Sequence, residues 1–430
     1  MARERPGLNR RELIAGLGAA ALTPTWSATG VAQAGPLLDL RIRPDRLAIR
    51  PGAPDAPVLA LGEANMRFNR GDKVELAFDP NLKNGMATLL GMDNGPATQQ
   101  DSARPTKRAT QEILRQAGTF LCDLGLFPNE TGWPTRAHPL IVREGEAVAV
   151  DRDETLLIEE WRVRADGTAV PPGVAPNETT VFYTLNGKAS LDVSARSNER
   201  LRLRFINGCH RRVVAVKLEG LDVRVMALDS QPSEPFLARN GALTLAPGSR
   251  VDVFVDATLP SGSISSILLH DGKEAHRVAR LVTSNDAPIR PAPLPPAPPL
   301  ASNGLPAQLD LKHGLRFELA LGVSQPDWVT PSKFSTSAAP VFRASIGRTV
   351  VLALTNRAEI ATVFHLHGHH FRLLDRLDDG WKPFWLDTLA IEPGQTQRIA
   401  FAAEHAGRWL IEQVRTEWTA PQLLRWYSFV

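Results

Sequence analysis

Short runs in which apolar and polar residues alternate recur along this chain, and turns containing glycine and proline separate them. Residues 201–207 read LRLRFIN and residues 251–256 read VDVFVD, so apolar side chains fall on one face and charged side chains on the other. Such alternation is typical of a β-strand that packs one face on a core, which predicts that the arginines and aspartates face solvent. The 34 prolines and 32 glycines favour many short strands over long helices. The sequence therefore predicts an all-β protein.

The strand pattern repeats at the scale of whole domains. Residues 70–79, 199–207 and 347–356 each contain a charged turn, an alternating strand and a final Asn or Asp. The turns APGSR at 246–250 and EPGQT at 392–396 have the same role before a later strand. This weak internal repetition predicts three copies of one β-sandwich.

A proline-rich segment marks one domain boundary. Residues 288–299 hold seven prolines, which cannot join a sheet ladder and favour extended polyproline II. The segment is therefore expected to connect two domains. The predicted mature chain has a first sandwich domain at 35–147, a second at 148–286, a linker at 287–306 and a third sandwich domain at 307–430.

The N-terminal residues 1–34 are expected to be an export signal. An arginine pair at 10–11 precedes a short apolar stretch at 13–22, and the AQA sequence at 32–34 supplies a cleavage site. Paired arginines in this place are typical of a twin-arginine signal, although Asn9 replaces the usual Ser or Thr. The apolar stretch is too short to span a bilayer. The sequence thus predicts a protein that works in the bacterial periplasm.

Charge and cysteine content exclude further classes of function. The formal net charge is +3, and the predicted signal at 1–34 contributes +2 of it. No run of Lys or Arg stands out beyond the signal, so a nucleic-acid partner is not predicted, and neither is a transmembrane segment. Cys122 and Cys209 are expected to be two separate buried thiols without a disulfide framework.

Four of the ten histidines fall within residues 362–371, TVFHLHGHHF. His365 and His367 are two residues apart, so on a strand their imidazoles share one face. Neutral imidazole is a common ligand of zinc, copper and iron, which makes the pair a candidate half of a metal site. The alternative is that these are polar side chains held by hydrogen bonds inside a domain. The rest of the chain must decide between the two interpretations.

The sequence resembles the multicopper oxidase family over nearly all of the predicted mature chain. The resemblance rests on LRFIN at 203–207, DSQP at 229–232, HLHGHHF at 365–371, WLDT at 385–388 and AGRWL at 406–410. It implies three consecutive cupredoxin-like Greek-key β-sandwich domains. It also implies copper binding and oxidation of substrates by O₂, if the copper ligands are present.

The family binds copper through the motifs H-W-H, H-x-H, H-x-x-H-x-H and H-C-H, the last followed by a further histidine. The resemblance places the first motif on TLL at 88–90 and the second on DLG at 123–125, so both lack histidine. The third falls on 362–367, where Thr replaces the first histidine and the other two remain. The last falls on EQV at 412–414, with Trp418 at the further histidine.

These replacements predict a chain without copper chemistry. A blue-copper centre needs a cysteine thiolate and two histidines, and the resemblance places Gln413, Thr362 and Trp418 there. A cluster reduced to His365 and His367 would bind metal weakly. We therefore expect no cofactor, no catalytic residue and no oxidase activity.

One alternative keeps a single metal ion. By the same resemblance, Asp123 and Glu412 stand where two cluster histidines are expected, close to His365 and His367. Two imidazoles and two carboxylates suit one Fe, Mn or Zn ion, or one Cu ion. The other interpretation is that the carboxylates pair with the imidazoles and replace the metal as a cross-link between the first and third domains.

Two functions follow from these alternatives. The first is a non-catalytic periplasmic scaffold that contacts envelope or division proteins, similar to a copper-free member of the family that stabilises the bacterial division machinery and is exported by the twin-arginine route. The second is an oxidoreductase or other metalloprotein that uses a reduced single-metal site. The sequence leaves the partner, the substrate and the oligomeric state open.

Overall fold

The computed structural model describes residues 37–61, 66–78, 88–92, 110–126, 132–323, 327–375 and 380–430. The predicted export signal lies outside these residues. From residue 36 onward the chain clusters as one compact unit. The described residues form strands and two short 3-10 helices, Arg239–Gly241 and Pro331–Lys333, so the all-β prediction is confirmed. None of the described helices has the length and apolar character needed to cross a membrane.

The first block of strands, residues 37–143, contains three sheets. A four-stranded sheet has the order β4-β9-β8-β6, and smaller sheets have the orders β1-β5-β7 and β2-β3. The strands are β1 (Leu37–Leu40), β2 (Ile42–Leu47), β3 (Ala56–Leu61), β4 (Met66–Asn69), β5 (Lys73–Phe78), β6 (Thr88–Leu90), β7 (Thr110–Ile113), β8 (Gly118–Asp123) and β9 (His138–Arg143).

The second block, residues 152–283, has two sheets that contribute to one apolar core. One sheet has the order β11-β10-β14-β19-β16-β17, with β12 also paired to β10, and the other has the order β13-β21-β20-β15-β18. The strands are β10 (Arg152–Arg164), β11 (Ala169–Val170), β12 (Thr179–Leu185), β13 (Leu191–Ala195), β14 (Arg200–Asn207), β15 (Val214–Leu218), β16 (Arg224–Leu228), β17 (Gln231–Leu237), β18 (Ala242–Leu245), β19 (Arg250–Asp256), β20 (Ile264–His270) and β21 (Ala275–Thr283).

The third block, residues 315–429, is also built from two sheets around one core. The first has the order β22-β24-β28-β26, and the second, which carries the histidine-rich strand, has the order β23-β30-β29-β25-β27. The strands are β22 (Leu315–Leu321), β23 (Arg343–Ala344), β24 (Thr349–Asn356), β25 (Thr362–Leu366), β26 (Arg372–Leu373), β27 (Thr388–Ile391), β28 (Thr396–Ala402), β29 (Gly407–Arg415) and β30 (Gln422–Phe429).

The charged face of β14 differs from its prediction. Arg202 and Arg204 are 1% and 0% exposed, so they do not face solvent. Both donate to one carboxylate oxygen of Asp252, at 2.6 and 3.0 Å. The first block covers this face, because Arg204 also donates to the hydroxyl of Thr119, and Arg202 donates to the carboxylate of Glu144, the residue that follows β9. Alternation correctly predicted the strand, but the paired charges stabilise a contact between blocks.

The proline-rich segment forms no strand, and its ends are fixed by polar contacts. Arg290 donates to both carboxylate oxygens of Asp151, at 2.8 and 2.5 Å. The side-chain amide of Asn303 donates to the carbonyl of Ala117 at 2.8 Å. The linker predicted at 287–306 thus contacts the first block through Asn303 and the second block through Arg200, which donates to the carbonyl of Leu294 at 2.9 Å. The predicted domain boundaries themselves stay predictions.

Candidate functional site

His365 lies in the middle of β25, between two partner strands. It is in register with Glu412 on β29 and with Thr388 on β27. All three residues are buried. Period-two alternation places the side chains of Thr362 and Phe364 on the opposite face of the strand. The histidine-rich strand therefore presents one polar face and one face that belongs to the core of the third block.

The hydrogen bonds of His365 fix its tautomer. The hydroxyl of Thr388 donates to Asp387 Oδ1 at 2.8 Å, so its oxygen accepts from His365 Nδ1–H at 2.9 Å. The ring then carries its lone pair on Nε2. Burial lowers the pKa of His365, which keeps the ring neutral. His365 thus retains the donor atom that a metal ligand requires.

His367 is engaged differently, through a carboxylate. Its Nε2–H donates to Glu412 Oε2 at 3.2 Å, and the other oxygen of Glu412 accepts from Gln422 Nε2 at 2.9 Å. Burial alone raises the pKa of Glu412, but the bond from His367 and the neighbouring imidazoles outweigh it, so this pKa lies below its usual range. Both oxygens of Glu412 are therefore occupied by protein donors.

Asp123 ends β8 and lies opposite Thr88 on β6. Its Oδ1 accepts from the backbone N–H of Gly125 at 2.9 Å, which closes a tight turn. A Cβ at Gly125 would lie 2.7 Å from the amide nitrogen of Gln422, so a larger residue there would displace this contact with the third block. The position predicted for a second histidine therefore holds a glycine that permits close approach.

A small cavity brings together three of the four predicted site residues. Asp123, His365 and Glu412 line it, and His367 is not part of the lining. Its volume is about 10 Å³, which leaves room for about one water molecule. The described residues include no group of three His, Cys, Asp or Glu side chains arranged to hold one metal ion.

Sequence reasoning assigned no role at this cavity to His210, which lines it, or to the neighbouring Arg211, which is not part of the lining. His210 donates from Nε2 to the carbonyl of Thr135 at 3.0 Å. The buried Arg211 donates to the carbonyl of Ala420 at 3.3 and 3.0 Å. Burial lowers the pKa of Arg211 to about 10, against the opposing effect of Glu412 and Asp123. The sequence signal was the string CHRR directly after β14, which carries three basic side chains in four residues.

The Cys-His pair at 209–210 does not form a nucleophilic site. Both residues line the cavity, but the side chain of Cys209 also belongs to the core of the second block, and His210 bonds to the carbonyl of Thr135. Burial raises the pKa of Cys209 well above its usual value, so the thiol stays protonated. Cys122 is also buried, and both cysteines are free thiols, as expected.

The positions that the resemblance assigns to blue copper make ordinary protein contacts. The hydroxyl of Thr362 donates to Asn356 Oδ1 at 3.0 Å. The side-chain oxygen of Gln413 accepts from the backbone N–H of Gly322 at 2.7 Å. The guanidinium of Arg162 lies 5.1 Å above the ring of Trp418, a cation–π distance.

The two further histidines of the stretch are structural in their contacts. His369 Nδ1–H donates to Tyr427 Oη at 2.9 Å, and that hydroxyl donates to the carbonyl of His367 at 2.7 Å. Burial, together with the nearby His405, lowers the pKa of His369 to about 3. His370 Nε2–H donates to the carbonyl of Asp229 at 2.9 Å.

A buried ion pair joins all three blocks beside His365. Arg250 on β19 is 1% exposed and donates to both carboxylate oxygens of Asp387, at 2.8 and 2.5 Å. Its Nε donates to the carbonyl of Thr119 in the first block at 3.2 Å. Asp387 in turn accepts from Thr388, the hydrogen-bond partner of His365. The histidine strand is therefore one edge of a continuous polar network.

Comparison with known families now gives the class of protein. Two multicopper oxidase family models match residues 153–264 and 308–424, which together cover more than half of the chain. The chain belongs to the multicopper oxidase family.

The chain is also similar to particular members of the family. It is 26% identical over 246 residues to the multicopper oxidase MmcO of Mycobacterium tuberculosis, a match that covers 54% of this chain and 47% of that protein. The match thus spans about half the length of this curated relative. A multicopper oxidase structure from Pseudomonas thermotolerans has a TM-score of 0.75 at 22% identity, covering 92% of this chain and 100% of that one. McoA from Aquifex aeolicus has a TM-score of 0.70 at 14% identity, covering 92% and 96%. These structures confirm a cupredoxin-like fold.

Proposed function

We propose that this chain is an exported member of the multicopper oxidase family that carries no copper cluster and serves as a non-catalytic scaffold in the bacterial envelope. The observation that carries the proposal is the arrangement of Glu412. Both of its oxygens accept hydrogen bonds from protein donors, His367 and Gln422, at a position where the family motif has a histidine.

The three blocks meet beside His365, where Arg250 bonds to Asp387 and to Thr119, and we call this region the junction. The residues at the junction do not fit a copper cluster. Thr88, Gly125 and Val414 offer no nitrogen or sulfur donor at the positions that the family motifs assign to ligands. The buried guanidinium of Arg211 adds a positive charge to this region. Burial lowers the pKa of this group, and Glu412 and Asp123 raise it. A cation opposes the binding of further cations in a medium of low dielectric constant. We therefore assign no copper-dependent step to this protein.

The same contacts provide an alternative function for the junction. The charge-assisted bonds from His367 and Gln422 to Glu412 lie within the third block, where they satisfy a buried carboxylate without a metal. A separate polar network, from Arg250 through Asp387 and Thr388 to His365, joins the blocks to one another. We infer that the framework was retained for its shape, which places the function on surfaces and clefts.

Export and partners complete the proposal. The paired arginines, the apolar stretch and the AQA sequence within residues 1–34 support a twin-arginine route to the periplasm. Envelope or division proteins are then the accessible partners.

Crosslinking in the periplasm, followed by identification of captured proteins, tests the proposed partners. We expect the same partners for wild type and for the His365→Ala/His367→Ala variant. Loss of capture in that variant contradicts a surface-borne function.

Metal analysis of the purified mature protein is the most direct test. After maturation with excess Cu²⁺, we expect far less copper than the family's full complement, together with no oxidation of phenolic substrates. Full copper loading overturns the proposal. The measurement should be made by elemental analysis and by absorption spectroscopy, because a blue-copper centre would be visible independently of activity.

One observation favours the single-metal alternative. His365 keeps its Nε2 lone pair, and it lines the same small cavity as the carboxylate of Asp123. On this alternative, wild type binds one Fe, Mn, Zn or Cu ion and His365→Ala loses it. The exposed His313→Ala is the matched control. Stoichiometric metal that disappears only in His365→Ala supports this alternative, and equal metal content in all three proteins excludes it.

A further inference from the structure

A second and larger cavity lies between the first and second blocks, apart from His365 and Glu412. Its volume is about 340 Å³, within the range of about 300–1,000 Å³ that is typical of small-molecule sites. Side chains of β4, β9 and β10 line it, together with Arg136 from the segment before β9 and Asn186 from the turn after β12. The cavity therefore has walls from strands of both blocks.

Arg136 is held in one orientation at this cavity. Its Nε and Nη2 donate to the two oxygens of Glu159, at 2.6 and 3.3 Å. Glu159 is buried and also accepts from the hydroxyl of Thr184 at 3.1 Å and the backbone N–H of Gly187 at 2.8 Å. This pair does not use Nη1 of Arg136. A guanidinium whose position is fixed in advance loses little entropy when it binds a ligand.

Arg67 brings a charge that its neighbours only partly balance. Its Nη2 donates to the hydroxyl of Thr155 at 3.0 Å, and its Nη1 lies 3.8 Å from Asp153. Both oxygens of Asp153 are already bound by Arg204, each at 2.6 Å. Burial lowers the pKa of Arg67, and the charges of Arg204 and Arg143 act in the same direction, against Asp153 and Glu154. Arg67 is therefore a partly buried cation whose neighbouring carboxylate, Asp153, is already paired with Arg204.

The remaining walls of the cavity combine five apolar residues with the polar residues His138, Glu154, Thr155 and Asn186. Met66, Ile141 and Leu157 line it and are 3%, 1% and 2% exposed. Among the described residues, Glu154 is the one carboxylate in the lining, and its side chain is 43% exposed beside Arg152 at 3.6 Å. The exposed side of the site thus carries the negative charge, and the more buried residues carry the two guanidinium groups.

We propose that this cavity is a binding site for a small organic anion. A carboxylate of the ligand would bind between Arg67 and Arg136, and its apolar body would lie against the half-buried Pro139, with Met66, Ile141 and Leu157 behind it. Arginine suits this role because its planar guanidinium binds a carboxylate through two parallel hydrogen bonds. The site is independent of any metal and of the proposed scaffold function, since its walls do not include His365, His367 or Glu412.

Calorimetric titration with benzoate tests the site, because benzoate combines one carboxylate with an apolar ring. We expect saturable one-to-one binding of benzoate and clearly weaker binding of benzamide, which has nearly the same shape without the charge. Arg67→Gln should weaken benzoate binding by about tenfold to a hundredfold, the loss associated with a charged hydrogen bond. Arg67→Lys, which keeps the positive charge, should bind benzoate more tightly than Arg67→Gln does.

The matched control is Arg280→Gln, which removes a surface guanidinium outside this lining and should leave benzoate binding unchanged. Thermal unfolding of each variant verifies that the protein is folded. Three results overturn the proposal: no saturable benzoate binding at millimolar concentration, equal affinity for benzoate and benzamide, or unchanged affinity in folded Arg67→Gln. Inorganic phosphate competing as well as benzoate would also overturn the assignment to an organic anion.

Discussion

The two faces of strands β25 and β29 carry different kinds of polar contact: one has charged groups, and the other has neutral hydrogen bonds. The face toward the other blocks carries His365 and Glu412, and ionic contacts continue from it to Asp387 and Arg250. The face toward the core of the third block carries Thr362 and Gln413, which make only neutral hydrogen bonds. Glu412 and Gln413 are adjacent on β29, whereas Thr362 and His365 are three residues apart on β25.

The difference between the faces has a physical basis. A charge can be buried only when it is paired and fully hydrogen-bonded. At the junction, three blocks supply partners from several directions, so carboxylate and guanidinium groups are retained there. Inside the third block the surroundings are aromatic and aliphatic. Ionisable groups in that core must be neutral, as His369 is. We therefore expect the junction face to be sensitive to single substitutions and the core face to tolerate neutral replacements.

Arg250→Met should have the largest effect of these variants. It leaves the carboxylate of Asp387 buried without its partner, which costs about 3–5 kcal/mol of unfolding free energy. Urea unfolding measures it. The exposed pair between Arg280 and Asp192 offers a matched control, and Arg280→Met should change stability little. If both variants lose the same unfolding free energy, the buried ion pair at the junction contributes no more to stability than an exposed one. Asp387→Leu combined with Arg250→Met should recover part of the loss.

Glu412→Gln should have the second-largest effect. It should lower the unfolding free energy by about 1.5–3 kcal/mol at neutral pH, because it weakens the charged hydrogen bonds from His367 and Gln422. The pKa of Glu412 is lowered in the folded protein, so its contribution is present above the ordinary value near 4.5. That contribution is lost as the pH falls through the lower folded value. Urea unfolding of wild type and variant across this range should converge at acid pH. The exposed Glu417→Gln is the control, and a difference that persists at acid pH contradicts this account.

The pH dependence of stability tests the core face. The pKa of His369 is lowered to about 3 by burial and by His405 and His370. The unfolded chain therefore takes up the proton first, and stability falls as the pH drops below about 6.5. Between about pH 6.5 and 5 the loss from this residue is up to about 2 kcal/mol. His369→Phe should flatten that slope, whereas the exposed His313→Gln should not. Equal slopes in all three proteins would show that His369 is not the cause.

Thr362→Val should have the smallest effect. It removes one neutral hydrogen bond to Asn356 and fills nearly the same volume, so we expect a loss of about 1 kcal/mol. The loss should not change between neutral and acid pH, because neither partner titrates. A loss as large as that of Arg250→Met would contradict the contrast between the two faces.

Much of the fold could be predicted from local patterns. Alternation identified strands such as β14 and β19, and the turns before β19 and β28 contain glycines with φ of +84° and +69°. The expectation that the charged face of β14 is exposed was wrong. Arg202 and Arg204 alternate as on a solvated strand, but a second layer of protein covers them. Period-two alternation tells which side chains share a face, and it does not tell what lies against that face.

The candidate site also contains some residues that the sequence placed correctly and others that only the structure placed. The resemblance placed Asp123, His365, His367 and Glu412 at one location, and in the structure all of these except His367 line one cavity. His210, Arg211 and the cavity beside Arg67 had no sequence signal strong enough to place them. They depend on which turns of the second block meet the first and third blocks.

The sequence by itself determined the all-β architecture, the family and the identity of the side chains at the ligand positions. These follow from periodicity, motif spacing and residue chemistry, which are properties of short segments. Only the tertiary structure decided which groups are buried and paired. Glu412 has a protein donor on each oxygen, Arg211 is a buried cation, and Arg67 shares Asp153 with Arg204, all through contacts between residues far apart in the chain. The balance between desolvation and pairing is set by these contacts, and no local pattern encodes it.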